Sequence, residues 1–243
     1  MAESLPPKAT GNPHDDDHTH PDVSGGWLRA AVFGAMDGLV TNTALIAGAG
    51  GSGLSPHAVA LTGAAGLVAG AFSMALGEYT SVTTQNEQLQ AQVKVEAAAL
   101  ARLPHEEERE LANLLVGHGV SPETAAQASK EIHQDGRRAL RAHVIQELGL
   151  DPDDQPSPLV AAGMSFLMFT LGALIPLLPY IFGFDSLVFG LACGFVGFAA
   201  AGAGAARLTG RQPQFGAARQ LALGAAAVGA TYLIGAAVGH AVA

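Results

Sequence analysis

The chain has 243 residues, 49% of them apolar and only 14% charged, where an ordinary soluble domain carries about a quarter charged residues. Its net charge of −9 offers no basic surface for nucleic acid, and its single cysteine, Cys193, excludes disulfides, thiolate metal clusters and Cys-x-x-Cys redox chemistry. No P-loop, dinucleotide fingerprint or Gly-x-Ser-x-Gly elbow points to an enzyme.

Residues 1–26 read as a disordered tail, too polar and proline-broken to fold alone. Its tract HDDDHTH, His14 to His20, suits loose metal binding and plain tail equally well. The first apolar stretch, about 27–50, is long enough for a transmembrane helix. It is not a cleavable signal, because 26 mostly polar, acid-biased residues precede it and it exceeds the length of a signal-peptide core. Within it, FGAMDGLV (33–40) holds Asp37, with no other ionisable residue between Ala30 and Pro56. A charge at mid-membrane costs roughly 2.5–3.5 kcal/mol on insertion scales, so such a residue faces a bundle interior or a water-filled path. Thr41, one turn on, extends this polar face.

The second helix, about 57–80, presents Met74 and Glu78 on one face at i, i+4. A carboxylate from helix one with a thioether and a carboxylate from its neighbour suits a borderline divalent metal such as Fe²⁺. Apolar packing for Met74 and an interfacial place for Glu78 are the plainer alternatives. Neither Gly nor Pro occurs from Glu78 to Leu103, so helix two is expected to run on as a rod of about 40 Å at 1.5 Å per residue.

Residues 87–155 form a helical insert with 13 acidic and seven basic residues, a net −6. Pro104 and Glu106–Glu108 start one helix, Gly117 and Gly119 end it, and Ser121-Pro122-Glu123 opens the next. Gly136 interrupts, and a last helix covers about 137–148, giving three or four short helices. Glu107 and Glu110 stand at i, i+3, and His143 and Glu147 at i, i+4, while Glu96 lies on the rod. Each pair can present two ligands to one metal, although acidic helix faces are usually only solvated.

Three further spans follow at about 159–182, 186–206 and 217–242. All 12 Lys and Arg fall before helix one, in the insert, or between helices four and five. With five spans, those segments share one side, which the positive-inside rule makes cytoplasmic; the N-terminus is then inside and the C-terminus outside. Gly34/Gly38, Gly66/Gly70, Gly190/Gly194 and Gly235/Gly239 form Gly-x-x-x-Gly pairs that let helices approach closely, within a protomer or across a dimer. The fold class is an all-α integral membrane protein of five transmembrane helices, with a cytoplasmic helical insert between helices two and three.

The run AFSMALGEYTSVTTQNE (71–87), with FGAMDGLVTNTAL upstream and LPHEEEREL downstream, resembles the vacuolar iron transporter family. The resemblance covers nearly the whole chain after the tail, and Ser-Met-Ala-x-Gly-Glu-Tyr is its most specific motif. It implies a homodimer in a lipid bilayer that moves Fe²⁺, and often Mn²⁺, out of the cytoplasm in exchange for protons. The family's pore aspartate falls on Asp37, its pore methionine on Met74, and the glutamate of its Gly-Glu-Tyr segment on Glu78. Its metal-binding insert residues fall on Glu96, Glu107, Glu110, His143 and Glu147. Two positions depart: Ala99 stands where a glutamate is expected, which leaves the number of bound metals open, and His143 stands where the family has methionine. Composition and the absence of eukaryotic targeting features suggest a bacterial inner membrane. The alternative function is a metal-binding membrane protein that senses or stores iron without transporting it. Neither reading requires a resident cofactor.

Overall fold

The computed structural model describes residues 27–242; the tail and its His14–His20 tract lie outside them. Nine α-helices follow in order among the described residues: α1 Trp27–Gly51, α2 Pro56–Arg102, α3 Pro104–Gly117, α4 Pro122–Ile132, α5 Gly136–Leu148, α6 Pro158–Leu174, α7 Leu178–Ile181, α8 Leu187–Leu208 and α9 Pro213–Val242. A 3₁₀ turn, Ile175–Leu177, joins α6 to α7, and no strand occurs among these residues.

Local chemistry explains most of the boundaries. Proline occupies the first turn of α2, α3, α4 and α6, where its missing N–H is not needed. The side chains of Ser55, Ser121 and Ser157 accept hydrogen bonds from the backbone N–H of Ala58, Thr124 and Val160. Asp135 caps α5 by accepting from Arg137 N and Arg138 N, at 2.9 and 3.1 Å. Gly149 ends α5 at φ 66°, a left-handed conformation that glycine adopts without a Cβ clash. The insert therefore has three helices.

Five helical units are long and apolar enough to cross a membrane, with α6, the 3₁₀ turn and α7 counting as one. The sequence pattern predicts a single helix over 159–182, and the structure breaks it at Ile175–Leu177. Pro176 and Pro179 cannot donate to the helical ladder, so carbonyls one turn earlier need other partners. The Gly172 and Ile175 carbonyls take the N–H groups of Ile175 and Leu178 instead, and buried Asn42 on α1 donates from Nδ2 to the Ala173 carbonyl in the same turn at 2.6 Å. At its other end α2 has 47 residues, about 70 Å, more than twice the roughly 30 Å hydrocarbon core. Its first half packs with the spans, and the second half, which carries Glu96, extends past them as the rod on which α3 and α5 dock.

Helix α1 is the hub, touching α2, α6, α8 and α9. All four Gly-x-x-x-Gly pairs serve packing within the chain. An added Cβ at Gly38 would fall on the Phe169 carbonyl, and one at Gly34 would lie 2.8 Å from the Ser165 carbonyl. Gly235 and Gly239 press on the α1 backbone at Gly48 and on Ser52 in the same way. Gly66 and Gly70 meet the Leu45 and Phe169 side chains, while Gly190 and Gly194 meet Tyr180 and Thr43. Outside this packed interior, Leu61, Phe72, Leu76, Leu167, Val188, Val196, Leu233 and Ile234 are exposed. That much apolar surface is a liability in water and the expected face of a protein in lipid.

Gly38→Ala is expected to destabilise the protein by at least about 1–3 kcal/mol, because backbone rather than a flexible side chain occupies the Cβ position. Gly229 on α9 has open space at its Cβ, so Gly229→Ala should be neutral or stabilise by up to about 1 kcal/mol. Thermal unfolding of the two purified variants beside the parent checks the contrast. Equal midpoints would remove close α1–α6 approach as the packing device.

Candidate metal centre

The insert gathers donors that are far apart in sequence. Glu96 comes from the distal part of α2, Glu107 from the first turn of α3, and His143 and Glu147 from one face of α5. Packing holds those helices in place: Leu111 of α3 and Ala139 and Val144 of α5 are buried. The Ser129 hydroxyl ties α4 to α3 by donating to the Glu108 carbonyl at 2.6 Å.

His143 is fully buried at the centre of the group. Its Nδ1 lies 3.2 Å from Glu96 Oε1, 3.2 Å from Glu147 Oε1 and 3.7 Å from Glu107 Oε2. One ligand atom from each of the four residues falls within 4.8 Å of all the others. Three carboxylates and one imidazole suit a borderline divalent ion such as Fe²⁺, Mn²⁺ or Zn²⁺. Burial first, and then the neighbouring Glu147 carboxylate, push the Glu96 carboxyl above its ordinary range; Glu107 and Glu110 add to the rise, and His143 opposes it. Glu96 Oε1 is moreover buried without an aligned hydrogen bond, despite its contact with His143. A buried oxygen left in that condition costs about 1–3 kcal/mol, which a bound cation would remove.

Four of the five insert residues singled out in the sequence thus converge. Glu110 does not join them: its side chain is exposed, and its effect on Glu96 is that of a nearby charge. Ala99, one turn beyond Glu96, offers no ligand. Sequence reasoning missed His133, whose Nε2 lies 3.3 Å from His143 Nε2. A histidine at the C-terminus of one short helix carries no spacing signal that ties it to another helix.

The three membrane residues have separate surroundings in the protomer. Asp37 is half-buried and accepts one hydrogen bond, from Thr41 Oγ1 at 3.3 Å. Met74 packs against the cluster of Ala71, Phe169 and Ala173. Glu78 is buried and pairs with Arg29, whose guanidinium donates at 2.6 Å. Arg29 lies in the first turn of α1, and its pairing joins the start of α1 to α2.

Comparison with known proteins gives a match to the VIT family model over residues 28–236. A vacuolar iron transporter of Acanthamoeba castellanii is 39% identical over 153 residues, covering 63% of this chain but 55% of that relative. The match therefore spans little more than half of the Acanthamoeba protein. Vacuolar iron transporter 1 of Oryza sativa subsp. japonica is 28% identical over 234 residues, with 94% of this chain and 92% of the relative covered. Vacuolar iron transporter 1 of Arabidopsis thaliana is 28% identical over 229 residues, covering 93% and 92%.

Proposed function

This chain belongs to the VIT family, and from that premise we propose that it exports Fe²⁺ from the cytoplasm in exchange for protons, with Mn²⁺ as a second substrate. Membership and the five apolar helices support metal-ion transport across a membrane. Substrate, direction and coupling are the proposal.

Asp37 is the observation that carries it. A protein that only senses or stores iron needs the insert and has no use for a carboxylate half-exposed on the apolar wall of α1. A dehydrated divalent cation passing mid-membrane needs an anionic oxygen there, and a carboxylate that releases metal can take a proton. With Thr41 as its one hydrogen-bond partner among the described residues, the Asp37 charge also calls for cover. A second copy of this chain placing its own Asp37 opposite would form an ion path at the two-fold axis. The proposed unit is accordingly a homodimer in a bacterial inner membrane, with the insert and N-terminus cytoplasmic.

On the proposed route, the donor set of Glu96, Glu107, His143 and Glu147 collects Fe²⁺ at the end of the α2 rod. Glu78 receives the ion near the membrane boundary, after leaving Arg29, and Met74 and Asp37 carry it through the span. The test is Fe²⁺ flux into proteoliposomes with and without an imposed pH gradient. Flux driven by the gradient supports exchange, whereas tight binding without flux returns the protein to sensing or storage.

Because Met74 also packs on Phe169, Met74→Leu separates its two roles better than alanine would. It preserves apolar volume and removes the thioether, which favours Fe²⁺ over the harder Mn²⁺. Fe²⁺ flux should fall on the order of tenfold, the loss of about 1.4 kcal/mol at one ligand, with Mn²⁺ flux less affected. Parallel uptake assays with the two ions check this, and equal losses would assign Met74 to packing alone.

A further inference from the structure

We propose that His133 is a positioning residue for metal capture, holding the His143 proton on Nε2 and so reserving Nδ1 for the ion. The inference rests on the reading of Glu96, Glu107, His143 and Glu147 as a donor set, and it assigns a role to a side chain outside that set.

One hydrogen-bonded chain runs from the α4 backbone through His133 to His143. His133 Nδ1 lies 2.8 Å from the backbone carbonyl oxygen of Ser129. A carbonyl only accepts, so His133 Nδ1 must carry a hydrogen. The Ser129 hydroxyl, 3.5 Å from the same nitrogen, does not supply one, because its single proton is directed to the Glu108 carbonyl at 2.6 Å. A neutral imidazole protonated at Nδ1 has its lone pair at Nε2. With His133 neutral, its Nε2 accepts, and the donor 3.3 Å away is His143 Nε2–H.

His143 Nδ1, at the opposite side of the ring, faces the carboxylate oxygens of Glu96, Glu147 and Glu107. Three carboxylate oxygens converging on one ring nitrogen form a site for a cation at that nitrogen. Because His133 keeps the Nε2 hydrogen engaged, the nitrogen left to face a metal ion is Nδ1, on the side where the carboxylates converge. Without His133 the ring could place its hydrogen on Nδ1 and turn its lone pair away from them. Metal-bound histidines generally donate their second N–H to an acceptor that fixes ring orientation and tautomer, and loss of such a partner costs about 10–100-fold in affinity. Here the acceptor is a second imidazole, itself anchored on the α4 backbone, so the link also runs from the metal centre through α5 to α4.

The test uses the full-length protein in nanodiscs, labelled with ¹⁵N-histidine, and Zn²⁺ as a diamagnetic probe of borderline character. In the wild type with Zn²⁺, the His143 nitrogen shifts should show a protonated Nε2 and a metal-bound Nδ1, while His133 shows Nδ1–H. His133→Phe should scramble the His143 signature and weaken Zn²⁺ binding about 10–100-fold. His133→Gln, whose side-chain oxygen can accept from Nε2–H, should restore much of both. A wild-type spectrum with zinc on His143 Nε2 overturns the proposal and needs no variant that folds. An unchanged His143 signature and affinity in His133→Phe also overturns it, while leaving the donor set standing. Absence of Zn²⁺ binding at His143 in the wild type defeats the donor set and the His133 role together.

Discussion

Asp37→Asn should reduce Fe²⁺ flux at least about 100-fold, or ~2.8 kcal/mol at 1.4 kcal/mol per decade, while leaving the folded protein at least as stable as the parent. The two halves of this expectation come from the same fact. In the protomer Asp37 sits half-exposed in the middle of an apolar helix, with Thr41 Oγ1 as its hydrogen-bond donor. An ionised aspartate at that depth costs roughly 2.5–3.5 kcal/mol on insertion scales, and a neutral amide is less costly to bury than a charge. Asparagine keeps the shape and can still accept from Thr41, but it removes the anionic oxygen and the exchangeable proton. Flux in proteoliposomes, thermal unfolding and the oligomeric state of the same preparation are measured together. Near-normal flux would reject Asp37 as a pore ligand. A variant whose oligomeric state differs from the parent's, or that unfolds at lower temperature, would make Asp37 a structural residue.

What the sequence revealed, and what it hid, depends on how far each signal reaches along the chain. Helix starts depend on residues within one turn, and so Pro104 and Ser121-Pro122-Glu123 were readable, as was the stop at Gly117. The uninterrupted α2 rod followed from the absence of Gly and Pro between Glu78 and Leu103. The break at Ile175–Leu177 was available in Pro176 and Pro179, but hydropathy over 159–182 is uniform and masks it. Side-chain partnerships across elements are a different matter. Arg29 and Glu78 are 49 positions apart, and nothing near either residue names the other. Among the insert ligands, the i, i+4 relation of His143 and Glu147 was legible from helical geometry. Glu107 and Glu110 looked equivalent at i, i+3, and only docking of α3 decides that Glu107 turns in while Glu110 stays exposed. The small-residue pairs were visible as motifs, yet their use inside the protomer depends on which carbonyl or side chain each glycine meets.

Glu96→Gln should stabilise the metal-free insert and at the same time deprive the metal-bound insert of most of its stabilisation. Burial and neighbouring carboxylates raise the Glu96 pKa above its ordinary value of 4.5, so the folded apo protein holds that proton more tightly than the unfolded chain does. For a raised pKa the stabilising contribution is complete below the ordinary value and is lost as pH rises through the folded value. At neutral pH the charged cluster therefore works against the apo fold, and mild acidification should strengthen it. Asp135 and Asp151 do not cancel this gain. Backbone N–H groups hold Asp135, and Arg141 holds Asp151, below the ordinary 3.8, so their contributions are lost only at lower pH. Metal reverses the slope, because a cation requires the deprotonated carboxylate, and its stabilisation should grow toward pH 7.5. At a metal concentration of 100 times the wild-type Kd, that stabilisation is about 2.7 kcal/mol. If the amide weakens binding about 100-fold, the same concentration supplies only about 0.4 kcal/mol. Hydrogen-exchange protection of α3–α5 in the full-length protein, with and without Zn²⁺ at several pH values, reads both quantities. A metal-free variant less protected than the parent at neutral pH would mean that Glu96 is there to pair with His143, and the acidic cluster would then be part of the fold's own bonding instead of a place kept ready for an ion.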